Sequence, residues 1–191
     1  MPRINLPAPE AMDADQRRVY DKIVSGRRGR IVGPLRAALH NPELADRWQA
    51  LGELLRYQTS LSPRISELAI LVTGRACNAP FEWHVHRGEA EKAGIEQAII
   101  EALLRQEVPQ GLNDADETVI LFARQLNQFK AVGDAVYDRA RRAFGDKGVV
   151  ELVALVGYYT LVAMTLNSHH IALPDGAAPA FPWPQPEPEP A

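Results

Sequence analysis

The chain has 191 residues, of which 46% are hydrophobic and 24% are charged, and its formal net charge is −3. These values are typical of a globular protein with one well-buried core, and the acidic balance argues against a nucleic-acid-binding protein. The only cysteine is Cys77, which excludes an intrachain disulfide, a CxxC redox pair and a thiolate zinc cage within one subunit.

No strand-length segment alternates with period two, so the predicted fold class is all-α. We expect one domain over residues 1–173, with an extended N-terminal arm at 1–12, followed by a proline-rich tail at 174–191. The proline content predicts a disordered tail, in which only Phe181 and Trp183 offer anchors. No apolar run of membrane-spanning length is recognised and the N-terminus lacks the apolar segment of a secretory signal. We therefore expect a cytoplasmic protein with no membrane partner.

Capping residues, prolines and glycines divide the chain into predicted helices. In chain order they cover Asp13–Val24, Pro34–His40, a helix from Pro42 with Asn41 as cap, a helix from Pro63 through Cys77, Pro80–Ala93, Ile95–Leu104, a helix capped by Asn113 or Asp114 that runs to Phe129, Asp134–Phe144 and Asp146–Leu166. Between the first two lies the basic segment SGRRGRIVGP, which does not have the spacing of a phosphate-binding loop and is interpreted as a solvated connection.

The best indication of function lies around residues 67–90, where an apolar helix meets a proline break and a second helix. Glu82 and His86 are four residues apart on the second helix, so they share a face and form a candidate pair for proton transfer. Glu67 would lie about 28 Å from His86 in one straight helix. If the chain doubles back at Ala79-Pro80, Glu67 can approach the same face; otherwise it is an exposed first-turn glutamate.

Other chemistry-bearing residues have weaker patterns. Trp83 and Phe81 could wall a pocket that raises a carboxyl pKa, or belong to the core. Tyr158 could orient a substrate, or be a core residue. His84 points away from His86, and His169-His170 follow the last helix, so no metal site and no cofactor are predicted.

The sequence ELAILVTGRACNAPFEWHVHRGEA, followed by KAGIEQAIIEAL, resembles the carboxymuconolactone decarboxylase family and its alkyl hydroperoxidase-D-like relatives. The resemblance implies an all-α fold and self-association as a trimer, hexamer or dimer. In the peroxidase branch, the resemblance implies a proton relay in which Glu67 is the glutamate and His86 is the histidine. The two redox cysteines fall on Ala79 and Glu82, so this chain lacks both thiols and thiol peroxidase activity is not expected.

The decarboxylase branch instead implies a Glu and a His four residues apart, as Glu82 and His86 are, acting on a lactone acid without a cofactor. The leading hypothesis is therefore a lyase or isomerase for a small lactone or organic acid. His86 would be the general acid/base, Glu82 its orienting partner and Glu67 a second proton carrier. The other candidate substrate contacts are Trp83, Tyr158 and two arginines suited to a carboxylate, Arg75 and Arg87.

Two alternatives stay open. One is a non-catalytic oligomeric ligand-binding protein in which the same residues form a buried polar network. The other is a peroxidase-related protein that uses Cys77 alone.

Overall fold

The computed structural model describes residues 2–185, and within that range the regular structure is helical. Eight α-helices are present: α1 (Ala14–Ser25), α2 (Gly33–Ala38), α3 (Pro42–Tyr57), α4 (Pro63–Ala76), α5 (Pro80–Lys92), α6 (Gln97–Leu104), α7 (Asp114–Phe129) and α8 (Asp134–Ser168). The prediction of an all-α fold is confirmed.

Side-chain caps fix where several helices begin. Asp13 accepts a hydrogen bond from the Gln16 N–H and Gln16 returns one, which completes a capping box at α1. Asn41, Ser62 and Asn113 likewise accept from backbone N–H groups at the starts of α3, α4 and α7. Of these, Asn41 and Asn113 are caps that the sequence predicts, because short polar side chains satisfy the first free amides of a helix.

The core surrounds α4. This helix packs against α5, α7 and α8, and a continuous run from Leu68 to Gly74 is buried. A helix that is apolar on most faces gains stability only by being surrounded, which places the end of α4 that carries Glu67 inside the bundle.

The chain reverses direction between α4 and α5. Asn78 adopts a left-handed conformation with φ 46°, and the Ala79 N–H donates to the Gly74 carbonyl at 2.9 Å. Pro80 then begins α5, where its missing N–H costs nothing. This reversal confirms the predicted break and brings α5 back alongside α4.

A single residue interrupts α8. Gly145 has φ 69° and ψ 173° within the helix, so the segment consists of two helical pieces on either side of it, as the sequence predicts. Glycine is the residue that takes a positive φ without steric cost.

Helix α8 as a whole, Asp134–Ser168, also corrects one expectation, since it is long and apolar enough to cross a membrane by length and composition. Its most apolar 18-residue window has a mean hydropathy of 1.9. Half of that window is buried inside the protein, as in the core helix of a bundle.

The N-terminal arm and the tail both contact the helices. The arm contains one 3-10 turn at Pro9–Ala11, and the Arg3 N–H donates to the His169 carbonyl at 2.8 Å. In the tail, Phe181 is buried and its ring contacts Trp83 edge-on with centroids 6.0 Å apart. The predicted disorder therefore does not hold at Phe181; residues 186–191 lie outside the described part.

Candidate active site

Glu67 and His86 form the central contact of the site. The Glu67 carboxylate accepts a hydrogen bond from His86 Nδ1 at 2.7 Å, although the two residues are 19 positions apart in sequence. Since a carboxylate can only accept, Nδ1 carries the proton and Nε2 is left to accept or deliver another. His86 is 4% exposed. The pairing gives the imidazole a fixed orientation, which is a requirement for directed proton transfer.

Glu82 is also at the site, but it is not the partner of His86. Both of its carboxyl oxygens are buried without a hydrogen-bond partner in the described structure, and the residue is 2% exposed. The predicted pairing of Glu82 with His86 is therefore wrong, because the fold places Glu67 at Nδ1 instead. The helix spacing correctly predicts a shared face but not which carboxylate makes the bond.

Burial determines the protonation of Glu82. Burial first, and the neighbouring Glu67 carboxylate second, hold the pKa of Glu82 well above its ordinary value of 4.5. Such surroundings favour the neutral form of a carboxyl group, which can donate a proton or a hydrogen bond. The site thus combines an oriented imidazole with a carboxylic acid.

A cavity of about 60 Å³ lies against these groups. Its wall includes Glu82, His86, Tyr158 and Tyr159, and the Tyr159 ring meets the His86 ring edge-on with centroids 4.8 Å apart. Burial raises the pKa of Tyr159 well above 10.0, so its hydroxyl keeps its proton. The cavity holds only a few water-sized groups, whereas ligand pockets usually measure about 300–1,000 Å³.

A larger groove borders the other side of Glu67. It measures about 440 Å³ and is lined by Glu67, Arg56 and Glu89 among others. The Glu67 side chain is 12% exposed, so the hydrogen-bonded pair connects a surface groove to the inner cavity.

The sequence analysis missed two arginines of the site. Arg28 and Arg56 both line the inner cavity, and Arg56 also borders the groove. Arg28 belongs to the basic segment that was interpreted as a solvated connection, and its Nη2 donates to the Tyr158 hydroxyl at 3.4 Å. Arg56 lies near the end of α3, a helix with no chemical motif. The three arginines of the SGRRGRIVGP segment were the signal for Arg28, and the sequence around Arg56 offers none.

Gly52 makes the position of Arg28 possible. A Cβ built on Gly52 would overlap both the Tyr158 hydroxyl and the Arg28 guanidinium. Only glycine therefore allows α3 to approach these groups so closely.

Of the four predicted substrate contacts, only Tyr158 lines the cavity. Trp83 is buried against Phe181, and it belongs to the core. Arg87 pairs with Glu91 and Glu101 on the surface. The choice of Trp83, Arg75 and Arg87 is therefore not supported, since none of them reaches the cavity.

Arg75 occupies a different site at the far end of α4. Its Nε donates to the Leu104 carbonyl at 2.8 Å, its Nη1 donates to Asn78, and its guanidinium lies 4.5 Å from the centre of the Phe181 ring. These contacts tie the tail to two helix ends, and Arg75 also lines a separate pocket of about 470 Å³ away from His86.

The surroundings of Cys77 bear on the alternative of a peroxidase-related protein. The positions that resemble the two redox cysteines carry Ala79, which is buried, and Glu82. Cys77 does not line the cavity, and burial raises the pKa of its thiol. A raised pKa keeps the thiol in its less reactive protonated form. Within residues 2–185, no cluster of three or more His, Cys, Asp or Glu side chains could hold a metal ion.

Comparison with known proteins supports the family resemblance. A family model described as "Carboxymuconolactone decarboxylase family" matches residues 42–125. The resemblance predicted from the sequence is therefore confirmed over this segment. The matched region runs from α3 into α7 and contains the whole turn that joins Glu67 to His86. A search of curated proteins found no match.

Solved structures share the fold of this chain. A peroxidase-related protein from Ralstonia eutropha JMP134, described as an alkylhydroperoxidase AhpD core, has a TM-score of 0.73 at 14% identity, over 93% of this chain and 97% of that one. A peroxidase-related protein from Silicibacter sp. TM1040 has a TM-score of 0.73 at 14% identity, over 90% and 91%.

The debrominase Bmp8, in a complex with 2,3,4-tribromopyrrole, has a TM-score of 0.72 at 12% identity, over 91% of this chain and 92% of that one. At these identities the likeness establishes an AhpD-like helical fold and no particular reaction.

Proposed function

We propose that this protein is a cofactor-independent lyase or isomerase, of the decarboxylase type, for a small lactone or organic acid. The observation that carries the proposal is the 2.7 Å bond between Glu67 and His86 next to Glu82, whose buried carboxyl group has no partner. Buried polar groups without partners are rare, and one that lines a cavity beside an oriented imidazole is well placed to meet a ligand.

The roles follow from the contacts. His86 is the general acid/base through Nε2, and Glu67 positions it through Nδ1. Glu82, neutral because of its burial, is the proton or hydrogen-bond donor on the same helix. In a decarboxylation the carbon–carbon bond to the carboxylate breaks and its electron pair enters a conjugated carbonyl. Carbon dioxide then leaves, and one of these two acids protonates the carbon.

The size of the cavity sets a condition on this reaction. At about 60 Å³ it accepts only part of a lactone acid, so the rest of a substrate would extend beyond this volume.

The same small volume favours one alternative, a non-catalytic ligand-binding protein with a sealed polar network. A sealed site would keep Glu82 and His86 from any substrate, and they would serve only to fix the packing of α4 against α5.

The test is turnover of gamma-carboxymuconolactone by the wild type and by His86→Gln. We expect the substitution to lower turnover by about 10²–10⁴-fold, the usual range for loss of a general acid/base. His84→Gln is the matched control, because His84 is exposed on the same helix, and it should leave turnover unchanged.

Full activity in His86→Gln would refute the acid/base assignment. Absence of turnover by the wild type with any lactone, together with measurable ligand binding, would favour the alternative. Peroxide consumption that is lost in Cys77→Ser would instead restore the peroxidase option.

A further inference from the structure

The two arginines of the inner cavity are the groups for which the proposed acid/base chemistry has no use. Arg28 and Arg56 line the same cavity as Glu82 and His86. Several other arginines of this protein are paired with carboxylates; for example, Arg64 contacts Asp116, and Arg139 contacts Glu117. Within the described part of the chain, no carboxylate oxygen lies within 4.0 Å of the guanidinium of Arg28 or Arg56.

Arg28 also has a buried hydrogen-bond donor without a partner. Its Nε is buried without a hydrogen-bond partner, and the contact of its Nη2 with the Tyr158 hydroxyl is long, at 3.4 Å. A guanidinium offers five N–H donors in a fixed plane, and leaving one buried and unpaired costs free energy. An oxygen acceptor inside the cavity would remove that cost.

The charges around the cavity favour an anion. Arg28 and Arg56 contribute two positive charges, while the carboxyl group of Glu82 is held neutral by its surroundings and Glu67 is bonded to His86. The negative groups near Arg56, which include Glu67 and Glu89, lie towards the outer groove. The inner cavity is thus bordered by unpaired cations and by hydrogen-bond donors.

We infer that Arg28 and Arg56 form a carboxylate-binding subsite that holds the acid group of the substrate beside His86 and Glu82. A planar guanidinium matches the two oxygens of a carboxylate. A carboxylate therefore suits this set of donors better than a neutral lactone carbonyl does. The inference rests on the proposed function only for its use in catalysis, since binding of the anion does not require turnover.

The chemistry of decarboxylation adds a constraint on the substrate. An arginine bound to the departing carboxylate would stabilise the reactant and slow the loss of carbon dioxide, because that group must give up its charge. The carboxylate held by Arg28 and Arg56 is therefore one that stays on the product. The substrate class is a small acid with one carboxylate for anchoring and a separate reacting group.

The test uses propionate as an unreactive probe, which is small enough for the cavity, and propionamide as its neutral isostere. NMR titration of the full chain should show propionate binding, and propionamide binding about tenfold or more weaker. In Arg56→Gln and in Arg28→Gln the propionate affinity should fall by about tenfold or more. Arg30→Gln is the matched control, because Arg30 is exposed on the same connection, and it should leave affinity unchanged.

Two further variants separate this inference from the proposed function. Arg56→Lys keeps the charge but not the planar donor pair, so it should retain part of the propionate affinity. It also shows whether a loss of binding in Arg56→Gln reflects misfolding. His86→Gln should keep propionate binding even where turnover is lost. Equal binding of propionate and propionamide, unchanged affinity in both Gln variants, or no propionate binding by the wild type would each overturn the subsite.

Discussion

At the scale of single residues, the site depends on two carboxyl groups in different surroundings. Glu67 has a hydrogen-bonded partner and reaches the outer groove, whereas Glu82 has no partner and is enclosed. Because their surroundings differ in this way, one site can hold both a hydrogen-bond partner for a base and a buried carboxylic acid. The two glutamates are therefore not interchangeable, although the sequence alone allows either of them to be the carboxylate that works with His86.

The enclosure of Glu82 predicts how stability changes with pH. Its folded pKa is raised above the unfolded value of about 4.5, so folding favours the protonated form. The stability that this provides is fully present below pH 4.5 and is lost as the pH rises through the folded pKa. Glu82→Gln removes this dependence. Within that window, the free energy of unfolding of the variant should rise relative to that of the wild type by up to about 1.4 kcal/mol per pH unit.

Urea unfolding of both proteins from pH 4.5 upwards would measure the effect. Glu10→Gln, at an exposed position, controls for the loss of a negative charge. If the free energy of unfolding had the same pH dependence in the wild type and in Glu82→Gln, this would contradict the buried, protonated state of Glu82.

At the scale of helices, α4 is held at both of its ends. Its first turn carries Arg64, which donates to Asp116 of α7 at 2.8 Å and to Glu96 before α6 at 2.6 Å. Asp116 is 2% exposed, so its charge depends on this contact and on Asn113. The ion pair fixes the end of α4 one turn before Glu67.

Replacement of Arg64 therefore tests the packing of α4. Arg64→Leu leaves the Asp116 carboxylate buried without its cation, and we expect a loss of about 3 kcal/mol or more in the free energy of unfolding. Arg47→Leu is the matched control, because Arg47 pairs with Glu43 on an exposed helix surface and should cost at most about 0.5 kcal/mol. Chemical denaturation gives both values, and equal losses would show that the Arg64 contact is an ordinary surface pair.

At the scale of the whole molecule, α8 presents an uncharged apolar stripe to solvent. The exposed positions recur three and four residues apart: Val150, Val153, Gly157, Leu161 and Met164. A Cβ on Gly157 would meet open space, so a second helix can approach closely there. Exposed apolar stripes of this kind mark interaction surfaces, and an uncharged one suits a second copy of the same chain.

We expect the protein to self-associate through this stripe. Met164→Glu, at a position that is 61% exposed, places a charge in the contact and should shift the assembly towards the monomer. Val108→Glu changes an equally exposed apolar residue outside the stripe and should not. Sedimentation velocity distinguishes the two, and a monomeric wild type or binding of the wild type to lipid vesicles would contradict the expectation. The cytoplasmic location stays a prediction.

The sequence by itself determines the helices and the turn between α4 and α5. Caps such as Asn41 and Ser62, the proline at position 80 and Gly145 act on their own neighbours in the chain, so their effects can be predicted from spacing alone. The same local rules placed His86 and Glu82 on one face of α5 and suggested that Glu67 returns to them.

Only the tertiary structure decided which groups meet. The Glu67–His86 bond joins two helices, and the cavity gathers Arg28 from a connection, Arg56 from α3 and Tyr159 from α8. Contacts between distant segments depend on how whole helices pack, and no spacing within one helix encodes them. For that reason the sequence predicted the candidate residues for proton transfer, whereas the arginines it proposed do not line the cavity, and it assigned the partner of His86 to the carboxylate on the same helix.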